Sequence, residues 1–400
     1  MPNTLDAAEM LRAAQTETGL SDWGSYEEWG GDFRPAYDAF IGALNTEARL
    51  SADGAYFTRN RIMDLLRGRL QMVEDRKRIP GIKEEVIKEP VFVIGLPRSG
   101  TTFMSNLLAQ DPENRSTQSW ELRLPSPPPE TATYGSDPRI AEMQEIFQRV
   151  GMLDQAVQEV HPTGAQRYTE CVFIHSYAFQ SAEFIAHWHV PSFVDWVYHA
   201  SNFRDVYRFQ HSMLQHLQHR CPGVRWVLKS PAHMPYLSEL VDVFPDARFV
   251  NCLRDPAKVV SSLSNTLARM RSRFSEQLPE PADSAREELL INAYLTDKAL
   301  DFFDAHPEFE ERCFNAHYLE VQKDPMAVVR QIYDKLGIPM TSERDEVMCA
   351  WLAKDRAKHK AVGTHSHSLD DYRIDYETID KHYSRWIERF QIELDRPVVS

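Results

Sequence analysis

Cysteine is scarce in this chain and poorly placed for cross-links: Cys171, Cys221, Cys252, Cys313 and Cys349 are five in number, far apart and without a Cys-x-x-Cys pair. An odd, scattered set reads as reduced thiols, which favours a cytoplasmic protein over a disulfide-stapled secreted one. No stretch approaches the length of a membrane span, so no membrane contact is expected. The opening Met1-Pro2-Asn3-Thr4-Leu5-Asp6 lacks the basic and apolar regions of a signal peptide. Basic surplus is missing as well. With 45 Lys and Arg against 59 Asp and Glu the formal net charge is −14, which argues against nucleic acid or acidic polysaccharide as a partner. His187-Trp188-His189 and His365-Ser366-His367 have a ligand-like look, but neither has a Cys or an acidic pair at metal spacing nearby, so no metal is expected.

What is present is enough apolar residue for a globular core and one informative junction. At 42% hydrophobic content, 400 residues can build one large α/β domain with extensions, or two modest domains. Residues 91–102 read Val-Phe-Val-Ile-Gly-Leu-Pro-Arg-Ser-Gly-Thr-Thr. The apolar run Val91 to Ile94 suits a strand buried on both faces. Gly95 and Gly100 bracket a loop whose N–H groups can turn inward, and the following helix points its positive end at the same pocket. The spacing Gly95-x4-Gly100 is that of a nucleotide-triphosphate loop, but Thr101 stands where such a loop carries Lys. Arg98 supplies a forked cation instead, suited to an oxyanion held by two parallel hydrogen bonds.

This segment resembles the phosphosulfate loop of the superfamily of sulfotransferases dependent on 3′-phosphoadenosine 5′-phosphosulfate, bacterial members included, as Pro97-Arg98-Ser99-Gly100-Thr101-Thr102. The resemblance implies a phosphate-loop NTPase-like α/β fold, a central parallel sheet flanked by helices with helical N- and C-terminal extensions. Arg98, Ser99, Gly100, Thr101 and Thr102 would hold the donor's 5′-phosphosulfate. A second match follows in 247–262, where Arg254 closes an apolar run and Ser262 stands eight positions later, the pair that holds the 3′-phosphate in the family. Pro256 suits the start of the intervening helix. Lys229, in Trp226-Val227-Leu228-Lys229, resembles the strand-end Lys that meets the sulfonate as charge builds on the leaving phosphate.

The base is less directly transferred. Cytosolic relatives place His two residues after the Lys, where this chain has Pro231; His233 lies two further on. Tyrosylprotein and heparan sulfotransferases use a Glu beyond the first helix, which corresponds to Glu121 in Ser119-Trp120-Glu121-Leu122. Glu170 opens an aromatic stretch and is a further carboxylate candidate. A carboxylate or imidazole can take the proton of an attacking hydroxyl or amine. Glu121 ranks first, with His233 and Glu170 behind it. Structural roles compete: a solvated acid for Glu121, a helix-start acid for Glu170, a packed ring for His233, a surface ion pair for Arg254.

The chain divides on this reading into a helical N-terminal extension, 1–88, and a sulfotransferase-like domain, 89–400. Arg61 to Leu70 reads as an amphipathic helix whose basic residues snorkel over its apolar face. Pro125, Pro127, Pro128 and Pro129 impose a rigid loop after Glu121. The aromatics between Cys171 and Phe209 read mainly as helical core, with some lining an apolar acceptor pocket as in relatives. Residues 312–320 look like the last strand and its turn, with Tyr318 bordering the cofactor. The family's C-terminal Arg-Lys-Gly is absent, and Lys360 or His365 would substitute. The acceptor is expected to be a small molecule with a hydroxyl group; oligomeric state is not legible. Two other classes stay open: a nucleotide or small-molecule kinase, which should show Lys at 101 and a free strand-end Asp for magnesium, and a sulfotransferase-like binding protein without chemistry.

Overall fold

The computed structural model describes residues 4–155, 158, 162–361 and 368–396, with side chains undescribed at 357–361. Lys360 therefore has no described side chain, and His365 and the triplet 365–367 lie outside the described residues. The chain forms two compact units. One comprises 1–87, 117–223 and 267–278, and the other 88–116, 224–266 and 279–400.

The second unit carries the only sheet among the described residues, five strands β1 (Val91–Gly95), β2 (Asn114–Arg115), β3 (Arg225–Lys229), β4 (Arg248–Leu253) and β5 (Cys313–His317) in the order β2-β3-β1-β4-β5. Every pairing is parallel. The apolar run predicted at 91–94 is buried throughout, as a central parallel strand covered on both faces requires. Its core partners include Val227, Val250, Ala316 and Val329. From β1 the chain runs to β2 at one edge, returns through β3 and then passes to β4 on the other side of β1, so the strand order reverses beside β1. In open parallel sheets ligands bind at the carboxyl ends of the strands at such a reversal.

The first unit is helical. Its longest helix, Ala52–Arg78, starts with the Ser51 hydroxyl accepting from Gly54 N at 2.9 Å and ends on Arg76, Lys77 and Arg78, cations that suit the negative end of the helix dipole. The aromatic stretch packs as core: Phe40 stacks on Phe184 at 4.1 Å between centroids, with Trp188 and Phe193 beside them. The snorkelling expected of Arg61 and Arg69 is corrected. Both are buried, Arg61 against Glu183 at 2.7 Å and Arg69 donating to the carbonyls of Trp23, Tyr177 and Trp29. The helix faces core on both sides at these positions, so each guanidinium finds acceptors inside rather than reaching water.

Candidate active site

The loop after β1 is shaped by backbone geometry that few residues accept. Gly95 has φ +128°, and a Cβ there would stand 2.3 Å from the carbonyl oxygen of its β4 partner Cys252. Gly100, at φ +95°, caps the helix Thr101–Leu108. Between them Arg98 adopts φ +64°, a left-handed conformation uncommon for a side-chain-bearing residue and found disproportionately at ligand loops. The Ser99 hydroxyl donates to Leu96 O at 2.6 Å and is buried, so it fixes the loop from within.

Around this loop the strand-end residues of the same unit converge. Lys229, the last residue of β3 and 5% exposed, donates from Nζ to Thr102 Oγ1 at 3.2 Å. Arg98 Nε donates to Ser262 Oγ at 3.1 Å, and Arg254 Nη1 donates to the Arg98 carbonyl at 2.8 Å. Arg254 is held over the Tyr318 ring at 4.0 Å, and its Nε is buried with no acceptor among the described residues. Thus Arg98, Thr102, Lys229, Arg254 and Ser262, drawn from three separate segments, form one cationic cluster at the carboxyl ends of β1, β3 and β4. A cavity of about 240 Å³ opens beside it, bordered by Arg254, His317, Tyr318 and Glu393.

Asp255 is fully occupied. Its Oδ1 accepts from Ala257 N at 3.0 Å at the start of the helix Pro256–Arg271, and Arg396 meets both oxygens at 3.2 and 3.3 Å. A strand-end carboxylate so engaged is not a free magnesium ligand. No group of three or more metal-ligating side chains occurs among the described residues.

The candidate bases sit in contrasting places. His233, in the same unit as the cluster, has no exposed surface and stands edge-on to Phe92 at 5.1 Å. Glu121, in the helical unit, is also fully buried. Its Oε1 accepts from Gln118 N at 2.8 Å and from the Tyr134 hydroxyl at 3.0 Å, closing a capping box on the helix Ser119–Arg123. Glu170, in that unit too, is half-buried. Sequence reasoning missed Arg123 and Arg396. Arg123 was readable as a cation flanked by Leu122 and Leu124, whereas Arg396 carries no local signal.

The parallel sheet, its reversal beside β1 and the loop that follows it are those of an α/β transferase fold. The chain belongs to the sulfotransferase family, whose profile matches residues 90–342. It is 28% identical to the crystal structure of sulfotransferase STF9 from Mycobacterium avium, with a TM-score of 0.87 over 98% of both chains. It also shares its fold with sulfotransferase STF1 from Mycobacterium tuberculosis H37Rv, at 24% identity and a TM-score of 0.81 over 96% of this chain and 100% of that one. Among curated proteins it is 25% identical over 180 residues to the omega-hydroxy-beta-dihydromenaquinone-9 sulfotransferase Stf3 of Mycobacterium bovis and M. tuberculosis, a match that spans 43% of this chain and 42% of theirs. No described helix is long and apolar enough to cross a membrane.

Proposed function

We propose that this protein transfers a sulfonyl group from 3′-phosphoadenosine 5′-phosphosulfate to a hydroxyl, or an amine, of a small-molecule acceptor. The observation that carries the reading is the hydrogen-bonded set Lys229–Thr102 and Arg254–Arg98–Ser262, which joins the two donor motifs at one sheet edge. On this reading the acceptor oxygen bonds to sulfur as the bond from sulfur to the bridging oxygen breaks, and the electron pair leaves with adenosine 3′,5′-bisphosphate. Lys229 and the Thr101 and Thr102 loop end meet charge that appears only in the transition state. Arg254 and Ser262 hold the 3′-phosphate. The acceptor's proton goes to a base for which Glu121, His233 and Glu170 are the candidates, Glu170 alone being partly exposed. The curated relatives, named for an omega-hydroxy compound, support a hydroxyl acceptor. No step calls for a metal, and the buried free thiols suit the cytoplasm.

The test is thermal unfolding with adenosine 3′,5′-bisphosphate against ATP plus magnesium, since a ligand that binds the folded state raises the midpoint. The bisphosphate is expected to raise it in the wild type and to lose that effect in Arg254→Ala. A response to ATP and magnesium alone would overturn the reading in favour of a kinase.

A further inference from the structure

The helical unit contains a charge cluster in which one cation is left over from the closed pair Arg61–Glu183. Glu183 lies in its interior with a side chain 2% exposed, and Arg61 takes both its oxygens, Nε to Oε1 at 2.9 Å and Nη2 to Oε2 at 2.7 Å. The Ser176 hydroxyl also donates to Oε2. That carboxylate is therefore satisfied and its charge matched. A second guanidinium, Arg123, with a side chain 18% exposed, stands with Nη1 3.6 Å from Glu183 Oε1, too far to hydrogen-bond. Arg123 donates no hydrogen bond to any described residue, and Arg61 Nη1, fully buried, has no acceptor either.

This is an unusual position for an Arg. Five N–H donors on a mostly desolvated guanidinium are costly to leave unmade, and arginine stays charged rather than releasing its proton. Burial first, then the neighbouring Arg61 charge, push the Arg123 guanidinium down to about 10. The other acid near it is engaged elsewhere: Asp64 binds Arg67 at 2.6 Å. His187, its Nδ1 2.8 Å from the Glu183 carbonyl oxygen, adds no negative charge. Nor can the segment simply relax. The Tyr177 hydroxyl, buried, donates to Leu122 O at 2.9 Å and pins the end of the helix that carries Arg123.

We propose that Arg123, backed by the unpaired Nη1 of Arg61, is an anion subsite that takes the carboxylate or phosphate group of a small organic ligand. A guanidinium presents parallel N–H donors that match either group, and an incoming anion supplies the negative charge that the cluster lacks. The subsite belongs to the helical unit alone and is read separately from the donor cluster.

The experiment is thermal unfolding of the full chain with benzoate, phenyl phosphate or neutral benzyl alcohol, each with and without adenosine 3′,5′-bisphosphate, for wild type, Arg123→Met and Arg123→Gln. At least one anion is expected to raise the wild-type midpoint while benzyl alcohol does not, and the preferred anion tells carboxylate from phosphate. Both variants should lose that rise, keep the bisphosphate response, and unfold no earlier than wild type when ligand-free, because an uncompensated buried charge has been removed. No anion response in the wild type, or one that persists in the variants, overturns the proposal. Earlier unfolding of both ligand-free variants would make Arg123 a structural partner of Glu183 instead, and loss of the bisphosphate response would assign it to the donor. If Arg123→Met does not fold, Arg123→Gln decides. Because the bisphosphate response is read separately, failure of the anion subsite leaves the donor reading standing, and the reverse.

Discussion

The cations at the carboxyl ends of the sheet and those inside the helical unit differ in what they rest on. At the carboxyl ends of the strands Lys229 donates to the Thr102 hydroxyl and Arg254 to the Arg98 carbonyl. In the helical unit Arg61 is closed onto Glu183 by two charge-assisted hydrogen bonds, and Arg69 is spent on carbonyls. A cation closed onto a carboxylate has its charge matched inside the fold, whereas Arg69 spreads its donors over three carbonyls without such a partner. Arg123 is a helical-unit cation that approaches Glu183 at 3.6 Å without a hydrogen bond to it.

The contrast is sharpest where one partner of a closed pair is removed. Arg61→Met leaves the Glu183 carboxylate buried without its principal partner, and breaking such a pair costs about 3–5 kcal/mol. Denaturant unfolding is expected to show a loss of that size. A loss below ~1 kcal/mol would mean that Arg123 closes onto Glu183, and would erase the distinction between the two arginines.

Lys229→Met should behave in the reverse manner. On the proposed function Lys229 meets charge that appears only in the transition state, and removing such a group lowers turnover by about 10²–10³-fold. Stability is expected to hold, the hydrogen bond from Lys229 going to an exposed threonine. Steady-state kinetics beside a melting curve separates the two effects; a variant that melts early with normal turnover would move Lys229 into the structural class.

Much of the cationic cluster was legible because its parts are short, ordered along the chain and tied to backbone geometry. Gly95 and Gly100 occupy φ values that demand glycine, Lys229 terminates a buried apolar run, and Arg254 and Ser262 flank a proline that starts a helix. The helical unit was opaque for a physical reason. Arg61 and Arg69 lie on a helix whose polar positions imitate a solvated face, and their partners are Glu183, 122 residues away, and the carbonyl of Tyr177, 108 away. No local pattern announces a partner so remote. Glu121 illustrates both cases, since its spacing from Gln118 is readable as a capping box while the hydroxyl of Tyr134 on its other side is not.

Acid offers the mildest way to probe the same comparison. Burial by itself would raise the Glu183 carboxyl, but the Arg61 charge and hydrogen bonds, with Arg123 beyond, outweigh it and hold the group at about 2 instead of its ordinary 4.5. A carboxylate with a depressed folded value contributes stability above its unfolded value, and that contribution is lost as pH falls from about 4.5 toward about 2. The span is worth about 3 kcal/mol at most, spread over the whole interval, so each single pH step costs little. Wild type is expected to lose stability across this window more steeply than Glu183→Gln, whose amide does not titrate. Parallel curves would show that Glu183 is not the group held ionised, and would dissolve the closed pair on which the helical unit's half of the contrast depends.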